Sequence, residues 1–265
     1  VSARRIQEVL DTEATVQDGP QTAGAAGLRG RIEFRDVSFR YPGAAGDMLR
    51  HVSFTANPGE TVAIIGATGS GKSTLLNLIP RFYDTTGGAV LVDGVDVRDY
   101  RKDALHAKLG YVPQRSWLFT GTVAQTLSFG CEGAPEAQLH AALETAQAAD
   151  FIDTGAGMQG QVAQGGSNFS GGQRQRMEIA RVLAQDPTII ILDEATSALD
   201  AKTEYDVVNS IKDRGITCIV VAHRLSTIRD CDEIIVLDGG KVVERGTHEE
   251  LMAHGGYYTE LVSNE

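Results

Sequence analysis

Residues 61–74 read Thr61-Val62-Ala63-Ile64-Ile65-Gly66-Ala67-Thr68-Gly69-Ser70-Gly71-Lys72-Ser73-Thr74. The first five form a short run rich in β-branched residues, the pattern of a buried strand. The next nine match G-x-x-x-x-G-K-[ST] in full. Small residues let such a loop curl until its backbone N–H groups converge on phosphate oxygens. The helix that follows turns its positive N-terminal end toward the same anion. Lys72 supplies a point charge for the β- and γ-phosphates, and Ser73 a hydroxyl for Mg²⁺. Gly66, Thr68, Gly69, Ser70, Gly71, Lys72, Ser73 and Thr74 are therefore candidate nucleotide-binding residues. An apolar strand before the loop and a helical pattern over Lys72–Arg81 after it set this stretch apart from a chance glycine-rich turn.

A phosphate cradle of this kind needs a carboxylate for the metal. Ile189-Ile190-Ile191-Leu192-Asp193-Glu194 supplies one, because an apolar strand delivers Asp193 to the carboxyl end of a sheet, where open α/β folds bind ligands. Two adjacent acids can divide the work, Asp193 holding Mg²⁺ and Glu194 taking a proton from water. To this point the residues specify a P-loop NTPase and leave kinases, recombinases, helicases and transport ATPases open.

Further strands are expected over Ile32–Phe39, Met48–Ala56, Ala89–Val92, Leu109–Val112, Ile216–Val221 and Ile234–Leu237. Helical patterns cover about 135–150, 170–185, 201–213 and 247–263. Strands alternating with helices predict a parallel sheet with helices on both faces. The stretch 115–185 carries helices without a convincing strand and reads as an insertion. Residues 1–13 can start a helix, with Ile6, Val9 and Leu10 on one side. Thr15–Gly30, rich in Gly, Ala, Gln and Asp, reads as a linker.

Composition narrows the class. The 265 residues are 42% hydrophobic and 22% charged, which suits a folded globular chain. Lys and Arg number 24 against 35 Asp and Glu, a net charge of −11, so the broad basic footprint of a nucleic-acid binder is missing and no nucleic-acid partner is expected. The longest uninterrupted apolar run, Cys218–Ala222, falls far short of the ~20 residues of a membrane span. Cys131, Cys218 and Cys231 form no Cys-x-x-Cys pair, which argues against a disulfide framework or a zinc site and fits a reducing cytosol. The chain begins at Val1, as a fragment of something longer would.

Residues 168–176 read Asn168-Phe169-Ser170-Gly171-Gly172-Gln173-Arg174-Gln175-Arg176. Here the chain resembles the ATP-binding cassette (ABC) family, whose signature is usually Leu-Ser-Gly-Gly-Gln. Ser170 can cap the following helix and leave N–H groups aimed outward, a second anion site in a chain that already has one. The resemblance implies two cassettes meeting head to tail with two ATP molecules between them, so Ser170, Gly171, Gly172 and Gln173 would bind the nucleotide of the other copy. It further implies that Gln114 senses Mg²⁺ and the attacking water, that the loop Ser197-Ala198-Leu199-Asp200 crosses the dimer interface, that His223 contacts the γ-phosphate, and that Tyr41 stacks on adenine. Glu194, His223, Lys72 and Gln114 would be catalytic, and Ser73, Gln114 and Asp193 would hold the metal. The fold implied is a P-loop NTPase (RecA-like) α/β core with a mixed sheet, an N-terminal antiparallel β-subdomain and an inserted α-helical subdomain at about 115–185. Residues 31–265 would be the ATPase domain and 1–30 a helix and linker from a membrane domain.

The likeness is strongest to the cassettes of exporters, through Arg81-Phe82-Tyr83-Asp84, His223-Arg224-Leu225-Ser226-Thr227 and the opening Ser2-Ala3-Arg4-Arg5-Ile6. It implies ATP hydrolysis at the cytoplasmic face of a membrane, with transmembrane domains outside this chain as partners. A soluble ABC-type ATPase acting on ribosomes or DNA, and an importer cassette made as a separate chain, are the rival readings. Two positions depart from the family pattern: Phe169 replaces the signature Leu, and Gln164 stands where exporters usually carry a glutamate that faces the membrane domains. Trp117, just beyond Gln114, reads either as a core aromatic or as part of a docking surface for a membrane-domain helix.

Overall fold

A computed structural model describes residues 2–222 and 224–263. A short helix α1 (Ser2–Leu10) comes first, followed by strands β1 (Ile32–Phe39), β2 (Leu49–Ala56) and β3 (Thr61–Ile65), then helix α2 (Lys72–Leu78). Next come β4 (Gly87–Val92), β5 (Val95–Asp96), α3 (Lys102–His106) and β6 (Leu109–Val112). The inserted region holds β7 (Gly121–Thr122), α4 (Val123–Leu127), α5 (Glu136–Thr145), α6 (Ala149–Asp153), β8 (Gln161–Val162) and α7 (Gly171–Leu183). The chain then returns through β9 (Ile189–Asp193), α8 (Ala201–Asp213), β10 (Thr217–Val221), α9 (Leu225–Ile228), β11 (Glu233–Asp238), β12 (Lys241–Gly246), α10 (His248–His254) and α11 (Tyr257–Ser263).

The central sheet runs β12-β11-β3-β10-β9-β6. Its inner pairs are parallel and the β11–β12 edge is antiparallel. A second, antiparallel sheet has the order β2-β1-β4-β5. The sheet is therefore mixed, beside an antiparallel β-subdomain. The reason is legible in the side chains. Strands of a covered parallel sheet are apolar on both faces, and a period of two sends alternate residues to opposite sides. Val62, Ile64, Ile189, Ile191, Ile219 and Val221 join a core with α2 and the antiparallel sheet. Ala63, Ile65, Ile190, Leu192, Cys218 and Val220 join a second core with α5, α7 and α8.

Several boundaries differ from expectation. The helix after the phosphate loop stops at Leu78 rather than running to Arg81, whose φ of 58° turns the chain back. The helical pattern over 135–150 is two helices, broken where Gln147 adopts φ 55°, and that over 247–263 is two helices separated by Gly255. The inserted region is not strand-free, since β7 and β8 pair as a two-residue ribbon. Strand β12 went unrecognised because its alternation is half-exposed at an edge and carries Glu244 and Arg245.

Residues 15–30 hold neither helix nor strand, yet they do not hang free as a flexible linker would. Gly19 N–H donates to Tyr100 O (2.9 Å), Gln21 N–H to Asp99 O (2.8 Å) and Ala25 N–H to Asp93 O (2.8 Å). Asp93, buried, also accepts from Gly30 N–H (2.6 Å) and Lys108 Nζ (2.8 Å). A Cβ at Gly24 would lie 2.2 Å from Cβ of Asp93, so this glycine serves close approach, and composition alone reads such a residue as flexibility. Arg81, also buried, donates to Gln17 O (2.6 Å), which ties the strap to the segment after α2.

Candidate functional site

The C-terminal ends of β3, β9, β10 and β6 converge on one rim of the parallel sheet, where the phosphate loop and the two acids emerge. Gly66 leaves β3 with φ 151°, and a Cβ there would meet Leu237 O at 2.2 Å, so only glycine lets the loop lie against β11. Ser70 N–H donates to Ala67 O (3.1 Å), and Gly240 N–H braces the loop through Ser70 O (3.0 Å). Gly71 begins α2 in the left-handed region at φ 107°. Lys72 Nζ donates to Gly66 O (2.7 Å) and Ala67 O (3.1 Å), so the lysine folds back over the loop that it follows. Burial lowers the Lys72 pKa, while the charges of Glu194 and Asp193 act to raise it. Thr68, Gly69 and Ser73 are exposed at the mouth of an open cleft of about 200 Å³, which Met48, Lys72, Thr74 and Glu194 also line.

Of the three residues expected to hold the metal, Ser73 and Asp193 lie side by side, and Gln114 contacts Glu194 instead. Ser73 Oγ stands 3.4 Å from Asp193 Oδ1, and Asp193 Oδ2 accepts from Tyr111 Oη (2.9 Å). Burial pushes the Asp193 carboxyl above the usual range, the Tyr111 bond opposes that, and the neighbouring Glu194 adds to it. Burial, and then the charge of Asp193, pushes the Tyr111 phenol up. A hydroxyl paired with one carboxylate is the hard-oxygen set that suits Mg²⁺, which takes one or two protein ligands and completes its shell with phosphates and water. Among the described residues no group of three or more His, Cys, Asp and Glu side chains could hold a metal ion.

Glu194 has φ 52°, a left-handed conformation unusual for a non-glycine residue and of the kind that clusters at functional sites. Its Oε2 accepts from Gln114 Nε2 (2.6 Å). The two residues expected to handle water thus meet across 80 residues of sequence. His223 lies outside the described residues. Tyr41 reaches the loop through its hydroxyl, 2.9 Å from Thr74 Oγ1, and its ring is held edge-on between Phe39 (4.8 Å) and Tyr83 (5.2 Å).

The signature residues form a helix start of their own. Ser170 Oγ accepts from Gln173 N–H (3.2 Å), and Gln173 Oε1 accepts from Ser170 N–H (2.9 Å), a reciprocal capping box on α7. Gln173, expected as a nucleotide contact, spends its side-chain oxygen on that cap. Asp200 likewise caps α8, with Oδ1 accepting from Thr203 N–H (2.9 Å) and Oδ2 from Thr203 Oγ1 (2.7 Å); these bonds hold its carboxyl below the usual range. None of residues 170–173 lines the cleft at the phosphate loop.

Sequence reasoning missed the ties between these pieces. Gln175, buried on α7, donates to Ser197 Oγ (3.1 Å) and accepts from Ala198 N–H (2.8 Å), which fastens the loop after Glu194 to the signature helix. Glu204, buried, accepts from Thr196 Oγ1 (2.7 Å) and Arg224 NH1 (2.8 Å), and Arg224 also donates to Leu199 O. Only the polarity of Gln175 and Glu204 at otherwise apolar helical positions signals such a role. Trp117 is 61% exposed, so it is not a core aromatic.

Comparison with known proteins identifies the family. Residues 49–197 match the family model described as ABC transporter. An uncharacterized ABC transporter ATP-binding protein of Mycobacterium tuberculosis is 47% identical over 274 residues, covering 100% of this chain and 46% of that protein. The ATP-dependent lipid A-core flippase of Pseudomonas aeruginosa is 44% identical over 263 residues, covering 98% of this chain and 43% of the flippase. The solved structure of a bacterial Atm1-family ABC exporter with ATP bound superposes with a TM-score of 0.91 at 39% identity, over 98% of this chain and 46% of that one. The chain thus spans about half the length of the curated relatives it matches. With the phosphate loop, the acid pair and the capped signature helix set as described, the chain belongs to the ABC transporter family as an ATP-binding domain.

Proposed function

We propose that this cassette binds Mg·ATP, pairs head to tail with a second cassette, and hydrolyses the nucleotide between them to power export through transmembrane domains outside this chain. The observation that supports the reading is the separation of two helix starts, each of whose N–H groups suits an anion. The cleft at Lys72 is walled by the phosphate loop and Glu194, and Ser170–Gln173 stand apart from it. A second phosphate grip that does not reach its own chain's nucleotide is explained by a nucleotide bound to another copy. The exporter assignment rests on likeness to relatives named as a flippase and an exporter, and the exposed Trp117 fits a docking surface for the membrane domains.

Ser73 and Asp193 would hold Mg²⁺, with Gln114 nearby through Glu194. Bound there, the ion would supply positive charge to offset that of the phosphates. Lys72 would exchange its loop carbonyls for phosphate oxygens. Glu194, released from Gln114, would take a proton from a water in line with the γ-phosphorus. The new P–O bond forms as the bond to the β-bridging oxygen breaks, giving ADP and phosphate. His223 would stabilise the γ-phosphoryl oxygens, and Tyr41 would stack on adenine. Loss of the γ-phosphate removes the contact between copies and the pair opens, which in the transporter would switch the membrane domains.

The test is Glu194→Gln. General-base assistance is worth roughly 10²–10⁴-fold, so phosphate release should fall by at least about a hundredfold with ATP binding retained. Size-exclusion chromatography with light scattering should then report a dimer with Mg·ATP and a monomer without it. Near-normal turnover would remove Glu194 from its role. A persistent monomer with ATP bound would show that pairing requires the membrane domains or a different partner chain.

A further inference from the structure

Tyr111 sits on β6, three positions before Gln114, and its side chain reaches Asp193 at the end of the neighbouring strand β9. Its ring packs against Phe82, with centroids 5.8 Å apart, and helps line a groove of about 250 Å³ with Pro80, His106, Val182 and Gln185. Its hydroxyl lies 2.9 Å from Asp193 Oδ2 and 3.3 Å from Asn77 Oδ1. A phenol has one proton, and the closer, ionised acceptor takes it.

The consequence concerns the other carboxylate oxygen. Asp193 Oδ1 faces Ser73 Oγ, the second oxygen of the pair that suits Mg²⁺. A carboxylate on the end of a strand can rotate about its terminal torsion, which is broad and roughly two-fold. A donor fixed on Oδ2 stops that rotation and leaves Oδ1 facing Ser73 Oγ. The ring packing against Phe82 keeps the donor itself in place. Groups that orient a ligating side chain typically change metal affinity by 10–100-fold when removed.

We propose that Tyr111 is a positioning residue for the Mg²⁺ ligand Asp193, setting the metal dependence of nucleotide binding without touching nucleotide. The inference rests on the Mg·ATP reading above. Neither the phosphate-loop pattern nor the acid pair predicts it, because the contact joins adjacent strands β6 and β9, which are distant in sequence.

The test compares the chain with Tyr111→Phe, which keeps the ring and removes the hydroxyl. Binding of a non-hydrolysable ATP analogue is measured by isothermal titration in EDTA and in excess Mg²⁺. The ratio of the two dissociation constants is the affinity that Mg²⁺ confers. Tyr111→Phe should bind as the unaltered chain does in EDTA, and its Mg²⁺-conferred gain should shrink about tenfold. An unchanged gain would overturn the proposal, as would an equal loss in EDTA and in Mg²⁺, which marks a general structural effect. Asn77→Ala, which removes only the weaker acceptor, should leave the gain intact, and a loss matching that of Tyr111→Phe would also overturn it. Failure of the underlying reading looks different: the unaltered chain would then bind no analogue, or bind it no better with Mg²⁺. Thermal midpoints of the ligand-free variants establish that each is folded.

Discussion

Ser170 is assigned two tasks that a pair of substitutions can separate. In the single chain its hydroxyl oxygen accepts from Gln173 N–H at 3.2 Å and caps α7. In the paired cassettes it would face the terminal phosphate of the other copy's nucleotide. Ser170→Ala removes the cap bond but leaves the reciprocal one from Ser170 N–H to Gln173 Oε1, so one contact at an exposed helix end is lost. That costs about 1 kcal/mol, or roughly 3 °C in thermal midpoint for a chain of this size. Ser170→Asp replaces one good cap with another and adds a charge that the helix start favours by ~0.3–1 kcal/mol. Its stability should therefore match or slightly exceed that of the unaltered chain. The same charge set about 4 Å from a phosphate oxygen, at an effective dielectric constant near 20, costs about 4 kcal/mol, a pairing roughly 10³-fold weaker. Urea unfolding reads the first effect. Light scattering with Mg·ATP, in the Glu194→Gln background, reads the second. A Ser170→Asp cassette that dimerises at the same concentration as its parent would refute the placement of Ser170 against nucleotide. A Ser170→Ala cassette with undiminished stability would refute the capping argument.

Other expectations follow from particular contacts. Trp117→Ala should change unfolding free energy by less than about 0.5 kcal/mol, since the side chain is 61% exposed; far-UV circular dichroism reads this without the chain's single tryptophan, and a loss above about 2 kcal/mol would return Trp117 to the core. Glu204→Ala should destabilise by about 3 kcal/mol in urea, because it strands the buried Thr196 hydroxyl and a partly exposed Arg224. Tyr100, buried with its hydroxyl donating to Val92 O (2.9 Å), has its phenol pushed up to about 12 by burial, with Asp93 adding to the shift. Between pH 10 and that value the folded chain keeps a proton that the unfolded chain releases, so stability falls as pH rises. Tyr100→Phe should flatten that alkaline fall relative to the parent in parallel urea titrations.

Much of the site was legible because its residues lie in continuous runs with strong chemical reasons. The loop Gly66–Thr74, the strand ending in Asp193-Glu194 and the capped start at Ser170 each state their own geometry, since a glycine-rich curl, an apolar strand and a helix cap are local events. The parallel core followed from the same logic. Strands buried on both faces read as short apolar runs, and five of the six strands of the central sheet were recognised that way. β12 was not, because an edge strand needs no second buried face.

Tertiary structure decided what depends on meetings between distant residues. Composition marks residues 15–30 as a linker, yet their backbone groups bond to Asp93, Asp99 and Tyr100, and no local signal encodes a partner more than about 60 residues away. Gln114 and Glu194, each readable alone, meet only because β6 lies beside β9. Gln175, Glu204 and Tyr111 carry no motif of their own; they matter through the loop, the arginine and the carboxylate that packing sets against them. The chemistry this chain can host is written in local runs, because phosphate loops, acid pairs and caps are short-range patterns. How those groups are aimed at one another comes from packing, because orientation is fixed by hydrogen bonds that cross between elements.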